Sequence, residues 1–376
     1  MSLNNPRKTV LIAGASGAVG SAAMAHFARL SDWDVIGISR HPPIRPVGHA
    51  KHVALDLLDR DRCAAAVAML GNVTHVVFAA LNEREDDVIA GWSDPAQMTK
   101  NAQMLENLCD PLFEAAPSLR HISLVHGPKA YGVHLPGLNL PVPLTETLPR
   151  APGDNFYYWQ EDYLLQKKRE GAGQSDWGIT LLRPSGIIGA TVGGHLSPFL
   201  VLTVFASLCR EAGLPMPLPA GRGDVLDFTD SDLVAEALAW AAEAPEARDQ
   251  AFNLCNGDVF SIRDAFPLVA ETLGVAVGET RVYDIADELS ALAHLWPDMV
   301  KKYGLAVPDL DTLLGCSPQV ARVWTAPVPP GEELRWNLCS TIKIRKAGFA
   351  GCVDTADMFR SYCYRYQELG MIPRLR

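Results

Sequence analysis

Residues 9–13, TVLIA, form an unbroken apolar run. GASGAVG interrupts it, and SAAMAHFARL resumes with apolar positions at helical spacing, which predicts strand, turn and helix. The alternation recurs along the chain. Residues 34–39 (DVIGIS), 52–57 (HVALDL), 74–81 (THVVFAAL), 121–125 (HISLV), 179–184 (ITLLRP) and 251–255 (AFNLC) read as further strands. Residues 98–113, 156–170, 196–218, 231–242 and 261–273 read as helices, the third of them apolar enough to cap an apolar substrate. Residues 132–153 are rich in proline and glycine and predict a surface loop near the active site. Repeated strand–helix units imply an α/β fold, a doubly wound parallel sheet with helices on both faces.

A chain of 376 residues exceeds what one hydrophobic core supports, so a second lobe is expected. The division read from the pattern is residues 1–190 plus about 222–260 for a Rossmann-type nucleotide-binding domain. A smaller, mainly helical substrate lobe takes about 191–221 plus 261–376. With 48% hydrophobic and 20% charged residues the composition is that of a globular enzyme. The net charge of −10 argues against nucleic acid and anionic membrane surfaces, which demand an excess of lysine and arginine. The most apolar stretch, residues 196–208, falls short of the roughly 20 residues of a membrane span. Eight scattered cysteines show no metal-ligand spacing, so no metal is expected. The first strand begins too early to leave room for a signal peptide, and the expected location is cytoplasmic.

Gly14, Gly17 and Gly20 follow a buried strand and open a helix. In that context glycines let backbone amides approach a pyrophosphate, with Ser16, Ala18 and Val19 completing the turn. The second strand ends in Ser39-Arg40-His41, with no acidic residue for a ribose diol. A guanidinium there can pair with a 2′-phosphate, which favours NADP(H) over NAD(H). Asp56 and Leu57 are placed at the adenine. Ala79, Ala80 and Leu81, together with Val125, Pro184 and Ile187, lie where the remaining strands end at the nicotinamide side of the crevice.

The chemistry rests on residues 155–163, NFYYWQEDY. Short-chain dehydrogenases use a tyrosine as proton donor, with a lysine four residues later lowering the phenol pKa. Tyr163 and Lys167 match that spacing. Lys167, however, lies too near Arg183-Pro184 for the helix to rise along the sheet and its crossover to return, whereas the position four after Tyr157 restores the full length. Moving the site between the two tyrosines turns it about 240° around a helix, so both cannot face one crevice. The residue four after Tyr157 is Glu161, which supplies no positive charge. Lys129, in HGPKAYG, can approach the phenol from the loop after the fifth strand. Asn155 reads as the helix N-cap, Tyr158 as packing behind Tyr157, and Glu161 and Asp162 as helix-face contacts. His126 flanks the site.

At this point the chain resembles the progesterone 5β-reductase and iridoid synthase-like family of atypical extended short-chain dehydrogenases/reductases. The resembling pieces are GASGAVG, the SRH end of strand two, GPKAYG, NFYYWQED, RP followed by IIG, AFNLCNGDVF at 251–260, and residues 343–373. The resemblance implies that Lys129 and Tyr157 are the functional pair. It also implies an NADPH-dependent ene-reductase acting on a small apolar enone, with hydride delivered to the β-carbon and the two residues stabilising the enolate. A homodimer is expected by analogy. The chain departs from the plant members in a shorter Lys129–Tyr157 spacing, in NEREDD after strand four, where an aromatic is common, and in LVHG before the lysine. Two other readings stay open: a carbonyl reductase, epimerase or dehydratase using Tyr163 and Lys167, and a non-catalytic regulator that senses NADP(H).

Overall fold

The computed structural model describes residues 7–173, 176–221, 224–327 and 337–374. Seven parallel strands form one sheet: β1 (Lys8–Ala13), β2 (Trp33–Ser39), β3 (Lys51–Ala54), β4 (His75–Phe78), β5 (His121–Val125), β6 (Gly178–Pro184) and β7 (Gln250–Leu254), in the order β7-β6-β5-β4-β1-β2-β3. The order reverses beside β1, whose neighbours are β2 and β4. That reversal opens a crevice at the carboxyl ends of the strands, where ligands of such sheets bind.

Burial explains the apolar runs. Val10 and Ile12 point into one core with helices α1 (Ala18–Arg29) and Ser231–Glu243. Leu11 and Ala13 point into another with α2 (Arg60–Val67) and α3 (Pro95–Ala115). β1 is thus covered on both faces, with alternate residues feeding opposite layers, whereas the edge strand β3 is exposed or half-buried throughout. A third core joins helix Pro198–Glu211, helix Ile262–Thr272 and the C-terminal helix Thr355–Glu368.

Three expectations change. The third strand stops at Ala54 because Asp56 turns the chain, its side chain accepting from the Leu58 amide at 3.0 Å and its carbonyl from the Asp59 amide at 3.1 Å. The apolar stretch 196–218 is not one helix. Gly213, at φ +67°, lets the Leu214 amide reach the Cys209 carbonyl and close the helix, and Met216–Pro219 becomes a strand beside Val277–Arg281. The loop 132–153 is pinned at its middle: Leu144 is fully buried and bridges to Cys339, while Glu146 accepts from the Asn253 amide at 2.8 Å.

Candidate active site

The glycine turn has the shape its residues require. Gly14 sits at φ +86°, and a Cβ there would lie 2.7 Å from the Ala79 backbone. A Cβ at Gly20 would lie 2.0 Å from the Gly14 carbonyl oxygen, so this position packs helix against turn. Gly17 precedes α1 in an extended conformation and places no side chain over the first-turn amides. These amides and the side-chain-free approach fit a dinucleotide pyrophosphate.

The remaining expected cofactor positions gather at the same edge of the sheet. Ser39, Arg40 and His41 end β2, and Asp56 and Leu57 follow β3. Ala79, Ala80 and Leu81 follow β4, Val125 ends β5, and Pro184 and Ile187 end β6 and begin the next segment. Their availability differs. Val19 and Leu57 bury their side chains in the core, which leaves their backbone amides for a ligand; the Leu57 carbonyl already accepts from Asn107 Nδ2 at 2.9 Å. The Ser39 hydroxyl donates to the His41 carbonyl at 2.6 Å and lies 2.9 Å from His52 Nε2. Arg40 is exposed and forms no ion pair among the described residues.

Lys129 lies in the short turn Pro128–Tyr131 after β5, and Tyr157 in the first turn of α4 (Phe156–Arg169). One side chain joins them. Asn155 caps α4 by accepting from the Tyr157 amide at 3.0 Å, and its Nδ2 donates to the Lys129 carbonyl at 2.9 Å. Tyr158 closes the same junction, donating to the Ala130 carbonyl at 2.7 Å and accepting from the Ala151 amide at 2.8 Å. Glu161 and Asp162 both pair with Arg150 on the outer face of the helix.

The Tyr157 ring is buried, stacked on His126 at 4.2 Å between centroids with planes 15° apart. Its hydroxyl makes no hydrogen bond to another described residue. A Cβ at Gly127 would lie 3.7 Å from that hydroxyl and 3.5 Å from the Pro184 carbonyl oxygen, which sets the phenol at the ends of β5 and β6. His126 is held neutral, its pKa brought down to about 3 by burial and by the Arg183 charge, and it is 3.3 Å from Gln160 Oε1.

The partner of Lys129 is a residue that sequence reasoning did not select. Its ammonium lies 3.5 Å from Glu83 Oε1 and 4.3 Å above the Trp92 ring. Glu83 is almost wholly buried, and its other oxygen accepts from Gln97 Nε2 at 2.6 Å. Burial lowers the Lys129 pKa, an effect partly offset by Glu83. Burial, and after it the Glu83 charge, raises the Tyr157 phenol above its usual value. The phenol is thus moved away from ionisation, with burial the larger cause and the Glu83 charge the second. The signal was present in NEREDD, the stretch after β4 where this chain carries charge and an aromatic is common.

Tyr163 and Lys167 are placed differently. Both end on Asp110, at 2.9 Å and 2.8 Å from the same oxygen, on the face that packs against α3.

This sheet, with its glycine turn and buried tyrosine, defines a nucleotide-dependent enzyme of extended short-chain dehydrogenase/reductase type. Residues 10–255 match the NAD dependent epimerase/dehydratase family, and the chain belongs to it. Within that class it is 30% identical over 383 residues to a 3-oxo-Delta(4,5)-steroid 5-beta-reductase of Arabidopsis thaliana, covering 96% of this chain and 92% of the relative. It is 29% identical over 397 residues to an (S)-8-oxocitronellyl enol synthase of Nepeta cataria, covering 99% and 93%. Among solved structures, the Bordetella bronchiseptica enzyme WbmG in complex with NAD superposes with a TM-score of 0.65 at 16% identity, covering 100% of both chains. A UDP-glucose-4-epimerase from Stenotrophomonas maltophila with bound NAD does so with 0.65 at 17%, covering 96% and 98%. These structures share the fold. The chain thus belongs with the steroid 5β-reductase and enol synthase group that its motifs resemble, and it carries the nucleotide-cofactor fold of the wider family. Among the described residues, no helix is long and apolar enough to cross a membrane.

Proposed function

We propose that Tyr157 and Lys129 carry out the conjugate reduction of a small apolar enone, with NADPH bound at the glycine turn. The chain is an oxidoreductase of the enone-reducing group to which its relatives belong. The carrying observation is the Tyr157 phenol: buried, kept protonated by its surroundings, free of hydrogen bonds to the described residues, and set at the crevice edge. A group in that state is a donor waiting for an acceptor.

When bound, the reduced nicotinamide supplies a hydride to the β-carbon of the substrate. Negative charge then collects on the substrate carbonyl oxygen, and Tyr157 donates its O–H to that oxygen. Such a donor acts best when it is preorganised and dry, and the His126 stack and the Asn155 cap hold the ring in place before substrate arrives. A raised phenol pKa suits this role, because the proton is held while the hydrogen bond strengthens. Lys129 adds positive potential from the other side, anchored by Glu83 and Trp92.

NADPH is favoured by Arg40, a guanidinium without an ion-pair partner among the described residues, at the end of β2 where the sequence SRH carries no acidic residue. The substrate is enclosed, in this reading, by a lobe of about residues 191–221 and 261–376 over a nucleotide-binding domain of 1–190 and about 222–260. The eight free thiols accord with a cytoplasmic location. Family analogy extends to a homodimer, which equilibrium sedimentation tests directly.

The deciding experiment follows NADPH oxidation with 2-cyclohexen-1-one and progesterone beside their saturated ketones, with products identified by mass spectrometry. Consumption with the enones alone, yielding saturated ketones, is expected. Reduction of the saturated ketones to alcohols would instead favour a carbonyl reductase, and absence of turnover with tight NADPH binding would favour a sensor.

A further inference from the structure

Away from Tyr157, two cysteines far apart in sequence meet a buried aspartate. Asp227 lies between the short strands Val225–Leu226 and Thr229–Asp230, Cys255 directly follows β7, and Cys339 sits where the chain bridges to Leu144. One ligand atom from each residue can be chosen so that all lie within 4.8 Å of one another. We propose that Asp227, Cys255 and Cys339 form a binding site for one thiophilic divalent cation of the Zn2+ type.

Four observations carry the proposal. The donor set is the right chemistry, since two thiolates and a carboxylate select tetrahedral, borderline-soft cations over calcium or magnesium. The spacing is close to what such a cation needs: the Cys255 sulfur is 3.1 Å from Asp227 Oδ2 with a thiol proton between them, and an ion replaces that proton with a small movement. The aspartate is oriented from outside the cluster, because the Cys339 amide donates to Oδ2 at 2.6 Å, a type of support that ligating carboxylates commonly receive. Finally, Asp227 Oδ1 is buried and makes no hydrogen bond, although Asp227 is only 3% exposed. Buried carboxylate oxygens rarely go without a partner, and this one points to a ligand.

The charge balance also favours loading. One carboxylate and two protonated thiols carry a single negative charge. Entry of M2+ with release of two thiol protons to solvent leaves two thiolates, one carboxylate and one dication, again a single negative charge. Asp227 and Cys255 are buried, while Cys339 is half-buried and offers the route in. Three protein ligands leave the fourth position of a tetrahedral ion for water.

The site would clamp three segments. A Cβ at Gly186 would lie 2.7 Å from the Asp227 carbonyl oxygen, so the residue 227 segment abuts the turn after β6. Cys255 extends β7, and Cys339 holds the strand segment that pins loop 132–153. The expectation of no metal rested on local cysteine spacing, which cannot register ligands brought together by the fold.

The test uses the full chain, reduced, stripped with a chelator and titrated anaerobically with Co2+. The expected result is one equivalent bound, with thiolate-to-cobalt charge-transfer absorption and the intense visible bands of a tetrahedral ion, displaced by one equivalent of Zn2+. Cys255→Ser and Cys339→Ser should each reduce the charge-transfer band, whereas Cys352→Ser, which changes an exposed thiol outside the cluster, should retain it. Zn2+ should raise the melting temperature of the wild type and not that of Cys339→Ser. If Cys255→Ser does not fold, Cys339→Ser decides. A cobalt spectrum unchanged from that of the aquo ion, a charge-transfer band that survives in both serine variants, or loss of two titratable thiols to a Cys255–Cys339 disulfide in preference to metal uptake would overturn the proposal.

Discussion

Of the three tyrosines of helix α4, Tyr157 and Tyr163 lie on different faces, and they differ in what their hydroxyls do. Tyr163 donates to Asp110, which also holds Lys167, so that face is saturated with protein partners. The Tyr157 hydroxyl meets no hydrogen-bond partner among the described residues, although its ring is packed and stacked. A residue pair can match a catalytic spacing and still be structural, because hydrogen bonds already satisfied inside the protein leave nothing for a substrate. A side chain held in place whose polar atom has no partner among the described residues is the better mark of function.

The largest test of this contrast is Tyr157→Phe against Tyr163→Phe. The first should lower kcat for enone reduction on the order of 10²-fold or more. The second should leave kcat unchanged and reduce unfolding stability by about 1 kcal/mol, read by urea denaturation. Equal kinetic losses would break the comparison.

Next come the lysines. Lys129→Met should cost about 10- to 100-fold in kcat/KM by removing positive potential from the crevice. Lys167→Met should change stability by under about 1 kcal/mol, as part-exposed pairs do, and leave the kinetics alone. At the far end of the crevice, Arg40→Ala should raise the KM for NADPH by about tenfold, the equivalent of about 1.4 kcal/mol, and leave the KM for NADH unchanged.

The smallest effect concerns Glu83, which raises the pKa of Lys129. Glu83→Gln removes that support, so the Lys129 pKa falls further and the alkaline limb of kcat/KM moves to lower pH. At neutral pH the loss should stay under about tenfold. An alkaline limb that moves upward would remove Glu83 from the site.

The glycine turn was legible because its requirements are local. A positive φ at Gly14 and a missing side chain at Gly20 are demands made within one strand–turn–helix unit. The proposed choice of Tyr157 over Tyr163 rests on a different kind of argument, since the crossover back to β6 constrains helix register. The direction of the phenol pKa was not readable. It depends on burial and on Glu83, which reaches the site from the segment after β4 and is fixed there by Gln97 of α3. The convergence of Cys255 and Cys339 was hidden likewise, since only the folded chain joins the end of β7 to the bridge at Leu144. The broken helix at Gly213 shows the limit of hydropathy: a continuous apolar run records burial, and the left-handed glycine decides where the helix stops.

The Asn155 side chain grips the backbone on both sides of the residues between Lys129 and itself. The exposed residues between those two grips are relieved of measuring that distance, while Leu144 and Glu146 are held by contacts of their own. Such an arrangement lets the length of the interval vary while its two ends stay together. Only the mostly exposed stretch 136–143, ahead of the pinned Leu144, is open to exchange: changes of length there should alter which molecules enter the crevice before they alter what happens to them there.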